Sequence, residues 1–137
     1  MKYFLSAAIL AGSVLAGSMG AALAQTPPPA AAAPGFERIP LQTTEWPPGY
    51  NSTSMTVKFK PAGGVPRHTH PGIESGYLAE GELTIKQDGK PDMAMKAGGS
   101  WVIPADTVHA AVAGAGGATA IVTYVVDKTK PISAPAP

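Results

Sequence analysis

Residues 63–81 read GGVPRHTHPGIESGYLAEG, and residues 98–109 read GGSWVIPADTVH. The first stretch sets His68 and His70 two residues apart and places Glu74 four residues after His70. On a β-strand, positions i and i+2 project from one face, so both imidazoles can address the same point. The Pro71-Gly72 pair between them and Glu74 is a turn signal, which lets the carboxylate come back to that point. His109 closes the second stretch, and with it all three histidines of the chain are used. Imidazoles plus a carboxylate suit a divalent first-row transition ion. The expected metal set is therefore His68, His70, Glu74 and His109, with Glu74 also the candidate base. The competing reading, ordinary polar residues on a β-domain, fits a lone histidine better than a His-x-His pair followed by a carboxylate.

Working outward, the chain reads as short strands and turns. Residues 53–60 alternate apolar Met55, Val57 and Phe59 with Thr56, Lys58 and Lys60, the pattern of a half-buried strand. Residues 82–87 alternate through Leu83 and Ile85, Asp88-Gly89 signals a hairpin, and Met93 and Met95 continue on the returning strand. Ala97-Gly98-Gly99 and Gly114-Ala115-Gly116-Gly117 read as two further turns. Residues 118–126 form a long apolar run rich in β-branched residues, expected to be a central strand covered on both faces. No amphipathic helix of useful length and no internal repeat is visible. Turn signals at this frequency predict an all-β fold, a small antiparallel β-barrel or jelly roll.

The flanks have a different character. Residues 1–24 combine Lys2, an apolar stretch from Tyr3 to Leu23 and an Ala22-Leu23-Ala24 cleavage site, the layout of a secretory signal peptide. Its Gly, Ser and Ala content argues against a retained anchor, so no stable membrane insertion is expected after cleavage. The expected location is periplasmic or secreted. Residues 25–35, QTPPPAAAAPG, read as a Pro/Ala linker, and residues 130–137, KPISAPAP, as a flexible tail. The folded domain is expected over residues 36–129. With no cysteine, neither a disulfide nor a lipoprotein anchor is available. Losing Lys2 from ten basic residues leaves nine, balanced by nine acidic ones, which excludes the basic footprint of a nucleic-acid binder.

The two histidine stretches resemble the motifs of the cupin family. The first motif is matched by His68, His70, Glu74 and Gly81, and the second by Gly98, Pro104 and His109. The sixteen residues between Gly81 and Gly98 are similar to the spacing of small bacterial single-domain cupins. The resemblance covers about residues 53–126. Three positions depart from the pattern: the leading glycine lies one residue closer to His68, Asp106 stands where a glycine is usual, and Ala113 replaces a usual asparagine. None is a ligand position in the family, and Asp tolerates the left-handed backbone a glycine would adopt.

The resemblance implies a β-barrel holding one divalent metal ion, with Fe, Mn, Zn, Cu and Ni all compatible with the ligands. Small cupins of this kind look like dioxygenases of the quercetinase type, while others act as isomerases or lyases. Three classes follow: a metal-dependent enzyme of oxygenase type, a metal-dependent binding or sensing module, and a metal-free barrel, which the intact ligand set disfavours. The partner is expected to be a small molecule. Around the site, Arg67 is expected at the surface because it neighbours His68 on a strand. Tyr77, Trp101 and Tyr124 are candidates for the barrel mouth, and Met55, Met93 and Met95 for packing. Ala110, Ala111 and Ala113 predict an apolar wall beside His109, and Asp106 a turn. A homodimer is expected, with the segment from Phe36 to Tyr50 packing on the partner or closing its own barrel.

Overall fold

The computed structural model describes residues 35–137. The signal-peptide reading of residues 1–24 and almost all of the 25–35 linker therefore lie outside the described residues. Eight strands follow one another: β1 (Phe36–Glu45), β2 (Tyr50–Phe59), β3 (Gly64–Thr69), β4 (Gly72–Gln87), β5 (Met93–Lys96), β6 (Ser100–Ile103), β7 (His109–Asp127) and β8 (Ala134–Pro135). Every pairing is antiparallel, and no helix occurs among the described residues. The fold is all-β, as the alternation predicts.

β4 and β7 organise the rest. The start of β7 lies between β3 and the end of β4, whereas its second half lies between β2 and the start of β4. Inward residues of β4 are Glu74, Gly76 and Leu78, then Leu83, Ile85 and Gln87. The odd step from 78 to 83 requires a register change, and the strand supplies it with shifts between Leu78 and Glu80 and between Gly81 and Leu83. Such bulges bend a strand and re-aim its side chains. Gly81 makes the bend possible: its φ is +79°, and a Cβ there would lie 2.1 Å from the Gly117 carbonyl oxygen. The buried core is aliphatic and aromatic, with Val57, Phe59, Leu78, Leu83, Ile85, Ile103 and Val122 among its members.

Three expectations need correction. Gly114 to Gly117 do not reverse the chain; they lie inside β7. Between the Leu83↔Ala113 and Gly81↔Ala118 pairs, β7 advances five residues while β4 advances two. The glycines absorb that excess as a bulge, with Gly117 at φ +82°. Residues 118–126 are central in the sheet, but only one face is covered: Ala120, Val122, Tyr124 and Val126 are buried, while Ile121 is exposed. Nor does the stretch expected as a tail stand away from the domain. β8 pairs with β3 through His68↔Pro135 and Thr69↔Ala134, Ile132 packs on the core, and Ala136 N–H donates to the Arg67 carbonyl at 3.1 Å. A Pro/Ala composition cannot build a core of its own, but it can cap the free edge of a strand that already exists.

Candidate metal centre

β3 and the start of β7 place His68 directly opposite His109. His70 follows β3, and Glu74 sits three residues into the chain of β4, opposite Tyr124 on one side and Ile103 on the other. All four side chains are buried, and one ligand atom from each lies within 4.8 Å of every other. The structure thus brings together the four residues that the sequence singles out. They could hold one metal ion.

The hydrogen bonds fix how the imidazoles are presented. His68 Nδ1 lies 2.8 Å from the Pro66 carbonyl, His70 Nδ1 2.5 Å from that of Ile132, and His109 Nδ1 2.8 Å from that of Thr107. A carbonyl only accepts, so each Nδ1 carries the proton and each neutral ring offers an Nε2 lone pair to the interior. His68 Nε2 and His70 Nε2 then face each other at 3.1 Å. Two lone pairs at that distance repel unless a proton or a cation lies between them. About 3 Å is also the separation of neighbouring ligands that share an ion at about 2.1 Å. His109 Nε2 is 3.4 Å from Glu74 Oε2, too long and poorly directed for a hydrogen bond, and it has no other partner among the described residues. A buried polar atom left in that condition is costly. The donor set therefore fits a divalent ion.

Glu74 is oriented from both ends. Its Oε2 lies 2.8 Å from His70 Nε2, and its Oε1 accepts from Trp101 Nε1 at 2.7 Å. Trp101 reaches that oxygen because its indole lies across Gly76, where a Cβ would meet the ring at 2.1 Å. Burial pushes the Glu74 carboxyl up, but contacts with His109, His70 and Trp101 outweigh it and hold the group well below the usual carboxylate range. Burial pulls His68 down to about 4, so it is neutral near pH 7. Burial also opposes charge on His109, yet the Glu74 carboxylate beside it raises that group above its ordinary value. Burial, then the nearby Glu74 charge, push the Tyr124 phenol up and keep it protonated. These are properties of a preformed ligand set whose outer contacts set ring orientation and tautomer.

The neighbours divide cleanly. Trp101 and Tyr124 lie at the site, the latter with its ring 4.8 Å from that of His70. Tyr77 does not; it is 51% exposed on the outer face of β4. Arg67 is at the surface, where its guanidinium grips both oxygens of Asp88 at 2.6 and 2.8 Å. Asp106 takes a left-handed turn at φ 57°, and its N–H donates to the His70 carbonyl at 2.9 Å. Met55 is core, Met93 and Met95 pack against it, and Ala111 and Ala113 form a buried apolar wall, whereas Ala110 falls on the opposite face, paired with exposed Lys86. Sequence reasoning passes over Arg38, on β1, which lines the same cavity as His68, Glu74 and His109. Its signal was weak: Arg38 shares a strand face with Phe36 and pairs with buried Val57, but Pro40 on that face is exposed and the neighbouring Ile39 is as half-buried as Arg38.

The Cupin domain family matches residues 55–126, more than half of the chain. The chain is a cupin. No curated protein matches this cupin in sequence. Among solved structures, an oxalate oxidase in complex with glycolate is 25% identical at a TM-score of 0.60, covering 77% of this cupin and 57% of that chain. The DMSP lyase DddQ from Ruegeria pomeroyi DSS-3 is 20% identical at a TM-score of 0.58, over 62% of this cupin and 43% of that chain. This cupin thus spans less than half of the lyase. A protein with a double-stranded β-helix domain from Klebsiella pneumoniae is 19% identical at a TM-score of 0.60, over 80% and 90% of the two chains. The last two likenesses show the shared fold.

Proposed function

We propose that this cupin is a metal-dependent enzyme of oxygenase type, acting on a small organic substrate at one divalent transition ion held by His68, His70, Glu74 and His109. The observation that carries the reading is the convergence of three Nε2 lone pairs on a buried carboxylate, with two of them 3.1 Å apart. An ion bound there would supply a Lewis acid and, if redox-active, a route for electrons. The chain's own residues do the rest. Three backbone carbonyls lock the tautomers, Trp101 aims Glu74, and Val57, Leu83, Ile85 and Val122 keep water from the cavity. The likeness to an oxalate oxidase binding glycolate supports oxygen-dependent chemistry on a small acid. Glu74 serves as ligand in this reading: Trp101 holds its Oε1, and its Oε2 faces the His70 Nε2 lone pair at 2.8 Å, where a shared cation would sit.

The signal-like residues 1–24 support export to the periplasm or beyond, and an apolar outer face of β4, β6 and β7 supports a homodimer. The function is tested by stripping the protein, reconstituting it with Mn, Fe, Ni, Cu or Zn in turn, and following oxygen uptake beside metal content on small hydroxy acids, dicarboxylates and enediols. Uptake confined to redox-active ions is the expected result. Equal turnover by the zinc form would replace the oxygenase with a Lewis-acid isomerase or lyase. Stoichiometric metal without turnover on any substrate would replace it with a binding or sensing module.

A further inference from the structure

The cavity beside the four clustered residues measures about 30 Å³ and is walled by apolar side chains, by His68, Glu74 and His109, and by one permanent cation, Arg38. Small-molecule sites of ordinary size run to roughly 300–1,000 Å³, and one water takes about 10–15 Å³ of such space, so this interior has room for one or two water-sized groups, such as the end of a carboxylate, and excludes a polycyclic ligand. Arg38 reaches it from β1, where it pairs with Val57 and lies two residues from Phe36. The residue is half-buried. Among the described residues no carboxylate lies within ion-pairing distance of it; its guanidinium lies 4.9 Å from the Phe36 ring centroid. A guanidinium stays charged at every physiological pH, and a charge taken partly out of water is stabilised by an opposite charge. Stacking on Phe36 and a contact with the Tyr124 hydroxyl orient the group without neutralising it.

We propose that Arg38 is the carboxylate anchor of the site, so that the substrates are small organic acids. One end of such an acid pairs with the guanidinium fork, which matches the two oxygens of a carboxylate. The other end is then directed towards the cluster of His68, His70, Glu74 and His109. The class follows from charge and size together: Arg38 and the Glu74 carboxylate both face the cavity, Glu74 belongs to the proposed metal set, Arg38 is left as the cation for a ligand, and the space excludes a bulky one. The substrate class rests on the metal-dependent reading above, whereas the anion contact itself does not require it.

The test is calorimetric titration of glycolate and its neutral amide, glycolamide, into zinc-loaded and metal-stripped protein, for the wild type, Arg38→Gln and Arg38→Lys. Glycolate should bind the wild type at least about tenfold more tightly than glycolamide, since a charge-assisted pair replaces a neutral one. Arg38→Gln should remove that preference, and Arg38→Lys should restore part of it, with zinc content unchanged in both. Equal binding of acid and amide by the wild type overturns the proposal without any variant, and covers the case in which Arg38→Gln does not fold. No measurable glycolate binding to the wild type also overturns it, as does glycolate binding to Arg38→Gln as tight as to the wild type, which would leave Arg38 a stacking partner of Phe36. Protein that takes up no metal, yet prefers glycolate through Arg38, would sink the metal-dependent reading and leave the anchor standing.

Discussion

At the scale of single residues, the site is a set of directed lone pairs, and pH acts on it through groups with opposite displacements. In metal-free protein His68 has a folded value of about 4 against an ordinary 6.5. Below pH 6.5 the unfolded chain takes up a proton that native His68 refuses, so its contribution is present above 6.5 and is lost as pH falls towards 4. Glu74, also lowered, contributes above 4.5 and loses that contribution only at more acid pH, as pH falls through its folded value. His109 is raised, so its contribution is complete below 6.5 and disappears as pH climbs through its folded value. Chelated protein should therefore lose stability between pH 6.5 and 4, by up to about 1.4 kcal/mol per pH unit. Urea midpoints at half-unit pH intervals check this, and a flat profile would contradict the buried, neutral His68. The clustering of His68, His70, Glu74 and His109 was legible because the two histidines of a His-x-His on a strand share one face. Trp101 as the donor to Glu74 was not, because it depends on Gly76 leaving room under the indole.

At the scale of elements, alternation found the strands but not their lengths. Residues 82–87 and 118–126 are each part of a longer strand, and the glycines between the parts read locally as turns although they serve as bulges. A period-two pattern breaks at a bulge whether or not the chain reverses, so the sequence alone cannot separate the two. The C-terminal stretch eluded the reading for a related reason: its role comes from the edge it covers, which is remote in sequence. That role reaches the site, because the Ile132 carbonyl holds His70 Nδ1 and β8 pairs at His68. Deleting residues 131–137 should then free the His70 ring and weaken metal binding by about ten- to a hundredfold, the usual effect of losing a contact behind a ligand. Competition with a chromophoric chelator measures it. Affinity equal to the full chain would mean that β8 is dispensable for the ligand set.

At the scale of the whole molecule, the surface is uneven. β1 pairs with β2 of its own chain from Phe36↔Phe59 to Glu45↔Asn51, so the N-terminal segment extends its own sheet, and the proposed homodimer rests on a second surface. On the outer face, Tyr77 of β4 lies opposite Ile121 of β7, Val102 of β6 lies opposite Ser75, and Ile73 stands beside them; their exposures are 51, 39, 55 and 43% respectively for Tyr77, Ile121, Val102 and Ile73. Scattered apolar residues are ordinary, but a contiguous patch across three paired strands marks an interaction surface. A stable interface needs about 800 Å² from each protomer, which the adjoining Ser54 and Thr56 of β2, outward neighbours of Thr123 and Ile121, would help to complete. A two-fold contact of this face with itself is the self-complementary arrangement most homodimers adopt. Light scattering of the wild type at micromolar concentration should return a dimer, and Val102→Glu combined with Tyr77→Glu should return a monomer with its metal content intact, since both side chains point away from the ligands. A monomeric wild type would remove the dimer altogether, and a double variant that stays dimeric would move its interface off this face.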